Sequence, residues 1–210
     1  MSQENPEKIF EKYREALRRD CQRALASWQI YKQIMNYIAT ENTAINISPG
    51  FFANCRAAFL DQTVLLFVKI LDKRNKKTLS LYSFLAFTQK HMATINKTGC
   101  VNIDKMISED LNRLKTKDAT ICNLRKRHNY TVAHTDQTHV LRATKCHKTD
   151  PVIVGEVDKL LDLIEEIFNK YSSCFDNVHY IFSVFGNEDL SRTIELIKIG
   201  RSAEFAKLTK

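Results

Sequence analysis

The chain has 210 residues, 44% of them hydrophobic, enough to bury a sizeable core in one domain or two small ones. Only five glycines and three prolines interrupt it, and so few breakers exclude the many turns of an all-β or Rossmann-like plan. A formal charge of +8 favours a polyanionic partner, through counterion release and long-range steering, against the plainer reading that excess lysines solubilise helix surfaces.

Asn5-Pro6 has the cap-then-proline signature of a helix start. Apolar residues then recur at helical spacing from Ile9 through Leu17, Trp28 and Ile38, predicting one helix of about nine turns. The stretch Thr40 to Ile47 breaks that pattern, and Ser48-Pro49 starts a second helix reaching about Asp72. From Phe59 to Leu71 this second helix is apolar almost all round, as expected of a helix at the centre of a bundle, so Asp61 and Gln62 must find partners there. A basic loop, Lys73-Arg74-Asn75-Lys76-Lys77, reads either as an RNA-backbone contact or as solvated charge. Thr78 is the expected cap of a shorter helix through Leu81, Leu85 and Phe87.

After Asn96 to Gly99, Asn102 is expected to cap a fourth helix carrying Ile103, Met106, Ile107 and Leu111. Its pattern continues past a kink near Thr116 to Asp118 into Ile121, Leu124 and Val132. Thr138 to Asp150 is polar and aperiodic and reads as a loop before Pro151. A fifth helix follows with Val154, Leu160, Ile164, Phe168 and Tyr171 on one face. A tail segment from Val178 to Phe185 and the break at Gly186-Asn187 precede a last short helix, Glu188 to Ile199. These elements predict an all-α, up-and-down bundle of about five main helices with a short C-terminal helix. Residues 1–176 form the bundle, and residues 177–210 are a C-terminal appendage of the same domain.

No run of about 18 apolar residues occurs, and Met1 to Lys8 lacks the apolar core of a signal peptide, so a cytoplasmic protein without a membrane partner is expected. The six cysteines, Cys21, Cys55, Cys100, Cys122, Cys146 and Cys174, include no close pair, which predicts reduced, mostly buried thiols and no metal knuckle. Nor do carboxylates cluster as a metal site would require; no metal and no cofactor are expected.

The segment that looks chemical is Leu124-Arg125-Lys126-Arg127-His128-Asn129-Tyr130-Thr131-Val132-Ala133-His134-Thr135-Asp136. Arg127 supplies a fixed cation and His134 a titratable imidazole, a pair suited to phosphate chemistry. On an ideal helix, seven residues separate them by only about 20° around the axis but by roughly 10 Å along it, so they share a face without touching. Asn123 lies one turn earlier on that stripe, and Tyr130 and Thr131 fall between its ends. The competing structural reading has His134 closing the helix C-terminus against the macrodipole while Arg127 pairs with a carboxylate. Arg142 and His147 repeat the arginine-histidine pattern, but without a polar residue after the arginine and without helical periodicity around them.

In this setting the segment resembles the signature of the HEPN superfamily, in which an arginine, a polar residue and, after a short spacer, a histidine lie on one helix of an all-α bundle. The runs Leu60-Asp61 through Leu71-Asp72 and Thr78-Leu79-Ser80-Leu81 resemble the central helices of its abortive-infection, AbiU-like branch, and the resemblance covers about residues 10 to 175. Family members most often carry asparagine directly after the arginine; here the order is Arg127-His128-Asn129, and the polar role falls to His128 or Asn129.

The resemblance implies a homodimer whose motif helices meet across the twofold axis in one composite cleft, acting as a metal-independent endoribonuclease of toxin or phage-defence type. Arg127 and His134 would then be catalytic, His134 moving a proton and Arg127 stabilising charge on the phosphorane. His128, Asn129, Tyr130 and Asn123 would support them or bind RNA. The alternative it leaves open is a noncatalytic dimer that binds RNA, a nucleotide, or an antitoxin, toxin or nucleotidyltransferase partner. Asp136 stands where members with nucleotidyltransferase partners commonly have tyrosine.

Overall fold

The computed structural model describes residues 5–40, 45–73, 78–129, 152–182 and 187–208. The side chain of Asn5 accepts the Glu7 amide at 3.0 Å, fixing the start of helix α1, Pro6–Thr40. Among the described residues seven further helices follow: α2 (Pro49–Ile70), α3 (Leu81–Lys90), α4 (Met92–Ile95), α5 (Ile103–Thr116), α6 (Asp118–Arg127), α7 (Val154–Asp176) and α8 (Asn187–Leu208). The described residues contain no strand, and the chain is all-α as its scarcity of breakers predicts.

Several boundaries differ from the sequence pattern. Ser80, not Thr78, caps α3: its hydroxyl accepts the Ser83 amide at 3.2 Å, while Ser83 Oγ accepts the Ser80 amide at 2.8 Å. Asn102 precedes α5 as expected, yet in the left-handed conformation at φ 60° and without a side-chain cap. The kink near residue 117 is a full break between α5 and α6, with the Lys117 amide folded back on Leu114 O at 3.1 Å. Helix α8 runs nine residues past its expected end at Ile199.

Two compact units emerge, residues 1–23 with 64–182 and residues 24–63 with 183–210, so that each draws on part of α1 and part of α2. The first is organised around aromatic rings: Phe10 lies 5.2 Å from Phe84 and 4.9 Å from Phe175, and Phe84 lies 5.9 Å from Phe168. Arg14 sits over Phe175 and Tyr180 at 5.2 and 5.4 Å and donates to Asp176 at 2.7 Å, so its charge is paired where its stem is buried. The Asn169 side chain takes both backbone groups of Tyr180, at 2.8 and 2.9 Å, holding the segment after α7 along that helix. In the second unit Ile45, Phe52 and Ile194 form a small core, with Tyr37, Ile38, Leu190 and Ile197 packed on it. The C-terminal helix therefore packs with residues 24–63.

Helix α2 is long and apolar enough to cross a membrane by length and composition, but its Phe52, Val64, Phe67 and Ile70 are buried in the protein. Leu65 is 45% exposed, so the helix is not enclosed on every side as its composition suggests. Asp61 and Gln62 are half-buried.

The cysteines require a correction. Cys100 and Cys174, with Cα atoms 5.7 Å apart, are joined in a disulfide, contrary to the reading of six reduced thiols. They are 74 residues apart in sequence, and no local spacing advertises them. Thr98 prepares the junction by donating its amide at 3.3 Å and its hydroxyl at 3.0 Å to Cys174 O, while the Asn96 side chain brackets the backbone of Cys100. Of the other thiols, Cys21 is buried, and burial raises its pKa well above the ordinary value; Cys122 is exposed.

Candidate active site

Helix α5 presents Ile103, Ile107, Asp110 and Leu114 to the core of the first unit, a spacing of four, three and four that marks one helical face. Asp110 is fully buried in that row, and three partners satisfy it. Tyr171 donates its hydroxyl at 2.8 Å, Lys170 reaches both carboxylate oxygens at 2.9 Å, and Arg113 donates at 3.1 Å. Burial and then the Asp110 hydrogen bond push the Tyr171 phenol well above its ordinary range, so it remains a donor. Arg113 also donates to Glu166 at 2.7 Å, which holds that carboxyl below its usual value. This network binds α5 to α7 and so fixes the base on which α6 stands.

Helix α6 is attached to the end of α2 near both of its own ends. At its first residue, Asp118 pairs with Lys73 at 3.2 Å, and Lys73 also lies 4.8 Å from the Tyr82 ring centroid. Burial lowers the Lys73 pKa, but hydrogen bonds with Tyr82 and Asp118 outweigh it and leave the ammonium above its ordinary value. In the last turn, Arg125 Nη2 donates to Leu71 O at 2.6 Å, satisfying a carbonyl just past the C-terminal end of α2. With Ile121 and Leu124 buried between these points, the rotation of α6 is set.

That rotation places the candidate residues. Arg125, Lys126 and Arg127 follow one another in the last turn of α6, where cations suit the helix dipole. Arg127 and His128 are half-buried and Asn129 is exposed. His128 Nδ1 and Asn129 Oδ1 lie 3.1 Å apart, so the two candidates for the polar role form one local unit. The helix widens into a π turn at His128 and Asn129. The ideal-helix relation between Arg127 and His134 runs through residues 130–134, Tyr130 and His134 among them, which lie outside the described residues.

Asn123 lines a cavity of about 20 Å³ with Thr120, Leu124, Val152, Ile153, Glu156 and Val157, space for about one water. A nucleotide does not fit there, so Asn123 is placed as a wall residue beside α7. At its rim, Lys159 and Lys117 hold the Glu156 carboxyl below its ordinary value, from 2.9 and 3.4 Å. Among the described residues, no group of three or more His, Cys, Asp and Glu side chains is placed to hold a metal ion. Sequence reasoning missed Arg125, which carries no pattern of its own, and Asp110, whose signal was an acidic residue on an apolar helical row.

The profile of the HEPN family described as AbiU2 matches residues 7–194, a span containing α5, α6 and the whole stretch from Arg127 to His134. No curated protein and no solved structure matches the chain.

Proposed function

The chain belongs to the AbiU2 family of HEPN proteins, and from that premise we propose that it is a metal-independent endoribonuclease acting in abortive infection or as a toxin. The observation that carries this reading is the family match over residues 7–194, with the arginine-histidine motif inside it. Arg127 stabilises negative charge on the pentacoordinate phosphorus, and His134 moves the proton of the attacking 2′-hydroxyl or of the leaving 5′-oxygen. His128 and Asn129, joined side chain to side chain, orient the phosphate or the ribose. Asn123 and Tyr130 act around that centre, Asn123 through packing and Tyr130 by stacking on RNA.

A homodimer with both motif helices facing one groove supplies two arginines and two histidines to a single substrate strand. The formal charge of +8 favours RNA as the ligand, and the protein works in the cytoplasm, where its substrate is. An antitoxin or nucleotidyltransferase would be a partner that restrains it.

The test is cleavage of total RNA in excess EDTA by the wild type, Arg127→Ala and His134→Ala. Wild-type cleavage lost in both variants is the expected result. Cleavage that needs a divalent metal, or that survives both substitutions, removes the proposal.

A further inference from the structure

Residues 6–23 of α1 belong to the first unit, and their charged side chains fall into two groups. Arg14 pairs with Asp176 at 2.7 Å, Arg18 with Glu15 at 2.6 Å, Lys97 with Glu7 at 2.8 Å and Lys69 with Asp20 at 2.6 Å. Lys8, Arg19 and Arg23, by contrast, are exposed and make no ion pair among the described residues. At 100° per residue these three fall within about 60° of one another, on a line about 22 Å long. The line runs opposite the face on which Phe10, Leu17, Cys21 and Ala24 are buried. Lys12, also on the line, is engaged within the chain, and exposed Glu11 lies to one side of it.

A solvated helix face is best served by opposite charges one turn apart, since such pairs support the helix. Arg19 and Arg23 instead set like charges one turn apart, which opposes helix formation. Lys8, the third residue of α1, places a cation at the positive end of the helix dipole. Solubility requires neither arrangement, because cations interspersed with carboxylates provide it without opposing the helix. Anions lying along the line turn both arrangements from unfavourable to favourable.

From this pattern we infer that Lys8, Arg19 and Arg23 form a track on α1 for the sugar-phosphate backbone of RNA, apart from the motif helix. Phosphates on the track relieve the repulsion between the arginines and release their own counterions, which supplies the affinity. Contacts of this kind carry no sequence information; they hold and orient a stretch of the strand. An anionic membrane fits the face less well. A helix lying on lipid inserts its apolar side, and that side of α1 is already buried in the protein. That the polyanion is RNA rests on the nuclease reading, whereas the demand for an anion comes from the charges of α1 alone.

Fluorescence anisotropy of the full chain with a 2′-O-methylated single-stranded RNA tests it, because that probe cannot be cut by attack of a 2′-hydroxyl and reports binding alone. Each neutralised phosphate of a single strand contributes about 0.7 to the slope of log affinity against log salt. Arg19→Gln combined with Arg23→Gln should therefore flatten the slope by about 1.4 and weaken binding at low salt on the order of 10-fold. Arg192→Gln combined with Lys207→Gln removes the same charge from exposed positions of α8 and should leave the slope as it is. The α1 variant should melt, by circular dichroism, no lower than the wild type, since a like-charge pair has gone. An unchanged slope in the α1 variant, an equal flattening in the α8 variant, or a wild type that does not bind the probe overturns the inference. A lower melting midpoint does so too, by assigning the arginines to the fold, as does loss of binding to phosphatidylserine vesicles with RNA affinity intact. Binding that depends on the track in a protein that cuts no RNA removes the nuclease reading alone. Cleavage by a protein whose binding ignores the two arginines removes the track alone.

Discussion

Asp110 is where a single side chain decides most. Its carboxylate has no exposure and accepts hydrogen bonds from Lys170, Tyr171 and Arg113 at once. Asp110→Ala strands a buried phenol and an ammonium, and should lower stability by about 3–5 kcal/mol, read from urea unfolding. Glu166→Gln, which weakens a half-exposed ion pair, should cost no more than about 1 kcal/mol in the same measurement. The carboxyls of Glu15, Glu156 and Glu166 are all held below their ordinary value of 4.5, by Arg18, Lys159 and Arg113 respectively. They bind protons more weakly folded than unfolded, so their contribution is present above pH 4.5 and is lost as pH falls through the lowered folded values. Denaturation midpoints measured from neutral pH downward should fall below about pH 4.5, and a flat profile would contradict this assignment. Asp110 was legible in principle, since residues 103, 107, 110 and 114 keep one helical spacing. Arg125 was not, because its acceptor is a backbone carbonyl 54 residues away.

Among the elements, helix starts with proline were readable to the residue: Pro6 and Pro49 open α1 and α2 where the sequence puts them. Caps chosen from interchangeable hydroxyls were less so. Thr78 and Ser80 are both good N-caps, and only the reciprocal bond with Ser83 selects the second. The π turn at His128 and Asn129 left no periodic signal, for it occurs where the apolar pattern has already thinned. Nor did the Cys100–Cys174 bridge, which depends on α7 bringing its C-terminus against the turn before α5. That bridge closes a loop of 74 residues containing α5, α6 and the motif. In the chain-entropy account, its reduction should cost about 4 kcal/mol. Denaturant unfolding with and without dithiothreitol should reveal the loss, and Cys100→Ser should be insensitive to the reductant. Equal stability of the oxidised and reduced wild type would contradict the bridge.

At the scale of the whole chain, composition alone indicated the all-α class, whereas the grouping of helices depended on contacts between distant segments. Residues 24–63 and 183–210 fold as one unit because Phe52 and Ile194 share a core, a pairing that no local period encodes. The candidate site divides in the same way. Its anchors, Lys73 with Asp118 and Arg125 with Leu71, come from the fold, while the chemistry assigned to Arg127 and His134 comes from the motif and the family. If Arg127 and His134 drive attack by a 2′-hydroxyl, the fragments must carry 2′,3′-cyclic phosphate and 5′-hydroxyl ends. The decisive measurement is end-group analysis and initial rate on a defined RNA in excess EDTA, for wild type and Arg127→Ala, beside the same RNA with a 2′-deoxy residue at the cleaved position. The prediction is cyclic phosphate ends, no cut at the deoxy position, and a loss of about 100-fold or more in the variant. Cleavage of the deoxy substrate, or equal rates for the two proteins, would contradict the account.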